Sequence, residues 1–142
     1  MSESSGTDAQ PRGILFLCVA NSARSQMAEG LAQALLPNEI AVASAGSQPG
    51  RVDPRAIQVL TEIGIDIGHH HSKRVDDVAL EDFDHIVTLC AEAVCPVAIG
   101  TFHREHWPLP DPVAATEGPD DLEPFRLVRD RLRELILERY SH

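Results

Sequence analysis

The run Gly13-Ile-Leu-Phe-Leu17 is apolar throughout and leads directly into Cys18. It has no polar face to give to water, so it fits a strand buried on both sides, as in a parallel sheet covered by helices. Beyond Cys18 come Val19-Ala-Asn-Ser-Ala23. From Arg24 to Leu36, Met27, Ala28, Leu31 and Leu35 then recur at helical spacing until Pro37-Asn38 stops the pattern. Strand, tight loop and helix follow one another, with a thiol at the strand's exit.

The alternation continues. Ile40 to Ala45 reads as a second strand, followed by a turn region from Gly46 to Gly50. Asp53-Pro54 is a cap with Pro at the first helical position, and Ala56, Ile57, Leu60 and Ile63 form an apolar stripe closed by Gly64. Ile86 to Leu89 is a third buried strand running into Cys90, and a short fourth is expected over His103 to Trp107. Asp120 with Glu123 resembles a capping box for a last helix striped by Leu122, Phe125, Val128, Leu132, Leu135 and Ile136. Strands alternating with helices predict an α/β fold: a single-domain, Rossmann-like, three-layer arrangement on a four-stranded parallel sheet, with ligands at the carboxyl ends of the strands. Residues 1–12, polar and Ser-rich, are expected to be a disordered tail before a domain spanning 13–142. The loop from Pro108 to Pro119 reads as an ordered flap.

Cys18 therefore stands where an oxyanion would bind. Backbone N–H groups of Val19, Ala20, Asn21, Ser22, Ala23, Arg24 and Ser25 can converge on one point at the positive end of a helix. Arg24 can add a bidentate guanidinium fork to the same anion. This field favours thiolate over thiol, and a hydroxyl from Ser25 to the sulfur would complete the activation. The bland alternative is a buried structural cysteine.

The set Cys18-x5-Arg24-Ser25 after an N-terminal strand resembles the signature of the low-molecular-weight protein tyrosine phosphatases. Its continuation, Ser25-Gln-Met-Ala-Glu29-Gly, is similar to their arsenate-reductase branch, which is usually coupled to thioredoxin. The resemblance extends through Ser44-Ala-Gly46, Ile65-Asp66-Ile67, Val87-Thr-Leu-Cys90, Cys95-Pro96, Glu105-His-Trp107, Asp111-Pro112 and Phe125-Arg-Leu-Val-Arg-Asp130. It implies arsenate as substrate, with phosphate or sulfate as competing anions, and no tightly bound cofactor. It further implies a relay in which Cys18, Cys90 and Cys95 act in turn and a thioredoxin- or glutaredoxin-type partner supplies electrons. In some of the resembling reductases the positions matching Asn21, Glu29, Ser44 and Asp66 hold a potassium ion.

The chain departs from that pattern at Cys90-Ala-Glu-Ala-Val-Cys95, which has four residues between the cysteines where the resembling enzymes have six. On one unbroken helix the two Cα atoms would lie about 8.7 Å apart on opposed faces, beyond the reach of about 7 Å that a disulfide tolerates. Pairing would need local unwinding, which Pro96 eases. A structural pair, or a zinc site completed by His85, His103 or His106, are the competing readings of these cysteines.

Asp111, between Pro110 and Pro112, is held on a stiff loop and is the general acid candidate. Phosphotyrosine phosphatases of the resembling family carry aromatic side chains just after this Asp-Pro pair. Here Val113 and Ala114 follow, leaving no platform for an aryl ester. His69-His70-His71 reads as a solvated loop, because three consecutive side chains do not converge on one ion, although His70 matches a family position near the active site.

Composition excludes several other classes. In 142 residues, 12 are basic and 22 acidic, a net charge of −10 without a basic stripe, so nucleic acid is not an expected partner. No apolar run approaches a membrane span and no charged-then-apolar leader opens the sequence, so a cytoplasmic protein is expected. Three cysteines are too few for a secreted disulfide framework. Two rivals to arsenate reduction remain at this stage. One is a phosphatase that hydrolyses a phospho-Cys18 intermediate; the other is a non-enzymatic thiol sensor or arsenite-binding module.

Overall fold

A computed structural model describes residues 10–91 and 100–140. Its four strands, β1 (Gly13–Cys18), β2 (Ala41–Gly46), β3 (His85–Cys90) and β4 (His103–Leu109), form one parallel sheet in the order β2-β1-β3-β4. β1 is central and buried at every residue, as its apolar run requires. Both edges are more exposed, and Pro108, which cannot donate to a ladder, is tolerated because β4 is an edge strand.

One face of the sheet carries α1 (Arg24–Leu35) and α4 (Glu123–Tyr140), with α2 (Pro54–Thr61) packed on both. The core between them is built from Ile14, Phe16, Val87 and Leu89 of the sheet, Met27 and Leu31 of α1, and Phe125, Leu132 and Ile136 of α4. α1 is buried over nine consecutive residues, Arg24 to Ala32. Such depth requires a residue without a side chain where α2 crosses: a Cβ on Gly30 would stand 2.5 Å from Ile67 Cγ2 and 2.8 Å from Leu60 Cδ1. The opposite face, Leu15, Leu17, Ala45 and Ile86, is covered by Val75, Val78, Leu80 and Phe83 from two 3-10 turns, Val75–Asp77 and Leu80–Asp82, and by Phe102. The sequence pattern gives no signal for these turns because each is a single turn with no stripe.

Several expectations are corrected. Pro11 and Arg12, placed by the sequence pattern in the tail, pack against the sheet. Pro11 is buried, the Arg12 carbonyl accepts from Ala41 N, and Arg12 N and Gly13 N donate to the Asp84 carboxylate. Burial works against the charge of Asp84, yet these amide donors hold its carboxyl below the usual carboxylate range. α2 ends at Thr61, so Ile63 lies beyond it, 41% exposed, and Val59 takes its place in the core. The side chain that receives Glu123 N at the start of α4 is Asp121, not Asp120. Within the flap, Pro112–Ala115 forms a short helix, α3, with Asp111 as its N-cap. Among the described residues, no helix is long and apolar enough to cross a membrane.

Candidate active site

β1 and α1 meet at residues 18–25, and the conformation between them is set by Asn21. Its φ of 51° lies in the left-handed region, which Asn tolerates better than most residues. Its side chain is fully buried and bonded on every side. The carbonyl oxygen accepts from Lys73 N (2.9 Å) and Gln26 Nε2 (3.0 Å), while the NH2 group donates to Ser25 Oγ (2.7 Å) and Ser44 Oγ (2.9 Å). The Lys73 amide admits only an acceptor, which fixes the orientation of the Asn21 amide.

The loop's carbonyls are tied away from its concave side. Val19 O accepts from Gln48 N, Ala20 O from Gly50 N, Asn21 O from the Ser72 hydroxyl and Ser22 O from Asp53 N. In a trans peptide each C=O points opposite to the next N–H. The N–H groups of Ala20, Asn21, Ser22 and Ala23 are thus turned inward by bonds formed behind them. α1 adds its own amides, because its N-cap Ala23 offers no side-chain cap. Behind the loop, Gly46 makes the close approach feasible: a Cβ there would meet Val19 O at 2.5 Å, Cys18 O at 2.8 Å and Asn21 N at 3.0 Å.

These groups surround a cavity of about 190 Å³ lined by Cys18, Val19, Ala20, Ser22, Ala23, Arg24, Asp111 and Val113. Larger hollows elsewhere, about 500 Å³ between the flap and α4, 780 Å³ between the flap and α2, and 510 Å³ between α1 and α4, contain neither Cys18 nor Arg24. The Cys18 sulfur is 2.8 Å from Ser25 Oγ. Since Ser25 Oγ already accepts from Asn21, its own hydrogen is available to the sulfur. Arg24 is buried and donates through Nη1 to Leu109 O (3.0 Å), linking the loop to the strand that ends just before Asp111. Asp111 Oδ1 accepts from Val113 N (3.0 Å), so one carboxylate oxygen caps α3, which positions the group at the cavity mouth. Val113, 40% exposed, contributes an aliphatic side chain to the lining of the same cavity.

Cys90 is fully buried at the end of β3. Leu17 is level with Thr88, so Cys90 lies on the neighbouring strand one step beyond Cys18. The register between β3 and β4 shifts between Thr88 and Cys90, and Cys90 is level with Leu109. Cys95 lies outside the described residues.

The potassium reading finds only part of its ligand set assembled. Ser44 donates to Glu29 Oε1 (2.6 Å) and Asn21 donates to Ser44, so three of the four residues meet. Asp66 is exposed, and its carboxylate accepts from its own turn at Gly68 N. In its stead Lys73 reaches in, with Nζ 3.7 Å from Glu29 Oε1. Asn21 presents hydrogens toward Ser44, and its oxygen is saturated by two donors. A site that offers hydrogens and an ammonium where a cation needs oxygens does not fit resident potassium. His70 is also not a solvated loop residue: its ring contacts Gln26 Oε1 (3.0 Å) and its side chain is 4% exposed. Burial lowers its pKa, against the opposing pull of Glu29. Ser72 and Lys73 carried no sequence signal, because their roles depend on a loop that folds back from fifty residues away.

Comparisons with known proteins follow this geometry. The sequence model of the low molecular weight phosphotyrosine protein phosphatase family matches residues 13–139. Arsenate reductase 1 of Staphylococcus epidermidis is 40% identical over 135 residues, covering 94% of this chain and 98% of the relative. A solved arsenate reductase in the phosphate binding state superposes with a TM-score of 0.77 at 35% identity, over 89% of this chain and 95% of the other. A Corynebacterium glutamicum thioredoxin-dependent arsenate reductase gives 0.65 at 31% identity, over 89% of this chain and 61% of the other.

Proposed function

The chain belongs to the low molecular weight phosphotyrosine protein phosphatase family, and from that premise we propose that it is an arsenate reductase. One observation carries the reading beyond the relatives' names: Cys18, Arg24 and Asp111 line a single small cavity beside inward-turned amides, with aliphatic Val113 in place of a ring. That cavity suits a tetrahedral inorganic oxyanion, arsenate with phosphate or sulfate as competitors, better than an aryl phosphate.

The chemistry proceeds by thiolate attack. Cys18 sulfur attacks arsenic, an As–O bond breaks, and Asp111 delivers the proton that lets the oxygen depart as water. Reduction needs a second thiol. Cys90 sulfur attacks Cys18 Sγ, an S–S bond forms, and the S–As electron pair stays with arsenic, which leaves as arsenite. Cys90 is fully buried at the end of β3, so the strand end past Leu89 must move for this attack. Cys95 then attacks Cys90 Sγ, restoring the Cys18 thiolate. A dithiol protein of thioredoxin or glutaredoxin type reduces the Cys90–Cys95 disulfide.

The test is a single turnover of reduced protein with arsenate and no added reductant. The expected result is about one equivalent of arsenite and the loss of two of the three thiols, since a two-electron reduction consumes a thiol pair. Arsenate that binds while all three thiols survive refutes the relay and favours phosphate-ester hydrolysis.

A further inference from the structure

Beneath the oxyanion loop a directed set of hydrogen bonds runs from Glu29 to the nucleophile. Ser44 donates to Glu29 Oε1, Asn21 donates to both Ser44 and Ser25, and Ser25 meets the Cys18 sulfur. The direction of the whole set is anchored by a carboxylate that is 7% exposed. A buried carboxylate requires a compensating charge, without which it would take up a proton or turn away. Among the described residues, two basic side chains lie within 4 Å of it: His70 Nε2 at 3.7 Å from Oε2, and Lys73 Nζ at 3.7 Å from Oε1. His70 Nδ1 faces the Gln26 carbonyl oxygen, an acceptor that draws the ring's hydrogen to that nitrogen, and burial disfavours a second proton. The neutral ring brings no charge to Glu29, whereas Lys73 brings a full one.

We propose that Lys73 is a cation built into the chain to support the oxyanion loop, occupying the role a bound potassium ion would otherwise have. Lys73 is fixed at both ends. Its amide donates to Asn21 Oδ1, its ammonium donates to His71 O (3.3 Å) and faces Glu29, and Gly46 N bonds back to Lys73 O (2.9 Å). One residue therefore sets the Asn21 amide from the oxygen side and, through Glu29 and Ser44, from the nitrogen side. Lys73 touches no substrate and acts as a positioning residue. The inference concerns the loop's support and is independent of whether arsenate is the substrate.

Thermal melting and calorimetric binding of inorganic phosphate, compared in KCl and in choline chloride at equal ionic strength, test it on the reduced full-length protein. Wild-type melting temperature and phosphate affinity should agree between the two salts within about twofold in affinity, and Lys73→Arg should follow wild type. Lys73→Met should melt lower and bind phosphate about tenfold more weakly in choline chloride, because Glu29 loses its counter-charge. KCl should reverse part of that loss by supplying an ion to the vacated place. Wild type that is strengthened by KCl overturns the proposal. So does Lys73→Met that is unimpaired, or equally impaired in both salts, the last result marking a packing role alone. If wild type binds no phosphate, the oxyanion reading fails, and the melting comparison still decides for Lys73.

Discussion

Replacement of Asn21 by Ala isolates what the loop's central residue contributes. The substitution removes four side-chain hydrogen bonds, three buried ones to Ser25, Ser44 and Gln26 and a part-buried one to the Lys73 amide. The Ser25 and Ser44 oxygens merely lose a donor, about 1 kcal/mol each, whereas the Lys73 N–H is stripped of its acceptor, about 1–3 kcal/mol. Gln26 Nε2 keeps His71 O, so its loss is small. Holding Ala at a φ of 51° adds about 1 kcal/mol. The sum is about 4–6 kcal/mol, a large part of the roughly 5–15 kcal/mol that keeps a domain folded. Asn21→Gly removes the same bonds yet adopts that φ without strain, so it should be about 1 kcal/mol more stable than Asn21→Ala despite deleting more atoms. Urea unfolding reads both values, and calorimetry should show phosphate affinity reduced at least about tenfold in each variant, the equivalent of about 1.4 kcal/mol. A loss below about 1 kcal/mol for Asn21→Ala, or a Gly variant weaker than the Ala variant, would refute the view that this side chain and this dihedral shape the loop.

Gly46→Ala should lower stability by about 1–3 kcal/mol and abolish tight phosphate binding, because its methyl meets loop backbone on three sides. Gly50→Ala, with nothing within 4 Å of its Cβ, should be close to neutral in the same melts. Cys95→Ser should release one equivalent of arsenite and stop as a Cys18–Cys90 disulfide visible by peptide mapping; sustained turnover with thioredoxin would remove Cys95 from the relay. Burial lowers the pKa of His70 and, with His103 as a second cause, that of His85. The unfolded chain then binds these protons more readily, so their stabilisation is complete above about pH 6.5 and is lost as pH falls through the lower folded values. Melting temperature should decline from about pH 7 to pH 5.5, less steeply in His70→Gln and His85→Gln; slopes unchanged from wild type would show that neither ring drives the decline.

The sheet was legible from the sequence because burial on both faces leaves a local signature, seen in Gly13–Leu17 and Ile86–Leu89, and because each helix declares itself by the spacing of its own apolar residues. The strand order β2-β1-β3-β4 left no such trace, nor did the 3-10 cover of the second face. At the site, the sequence alone brought forward Cys18 and Arg24, by residue type and short spacing, as candidate nucleophile and anion-binding arginine, and Asp111, by its place between two prolines, as acid candidate. What makes them a site was decided only in three dimensions. The peptide planes of the loop are turned by partners at positions 48, 50, 53 and 72, and the counter-charge for Glu29 comes from Lys73, whereas Asp66, expected beside it, turns to Gly68. Chemical identity is carried by each residue itself and can be read in order. Orientation and electrostatic compensation depend on which distant segments pack together, and single-sequence patterns carry no record of that pairing.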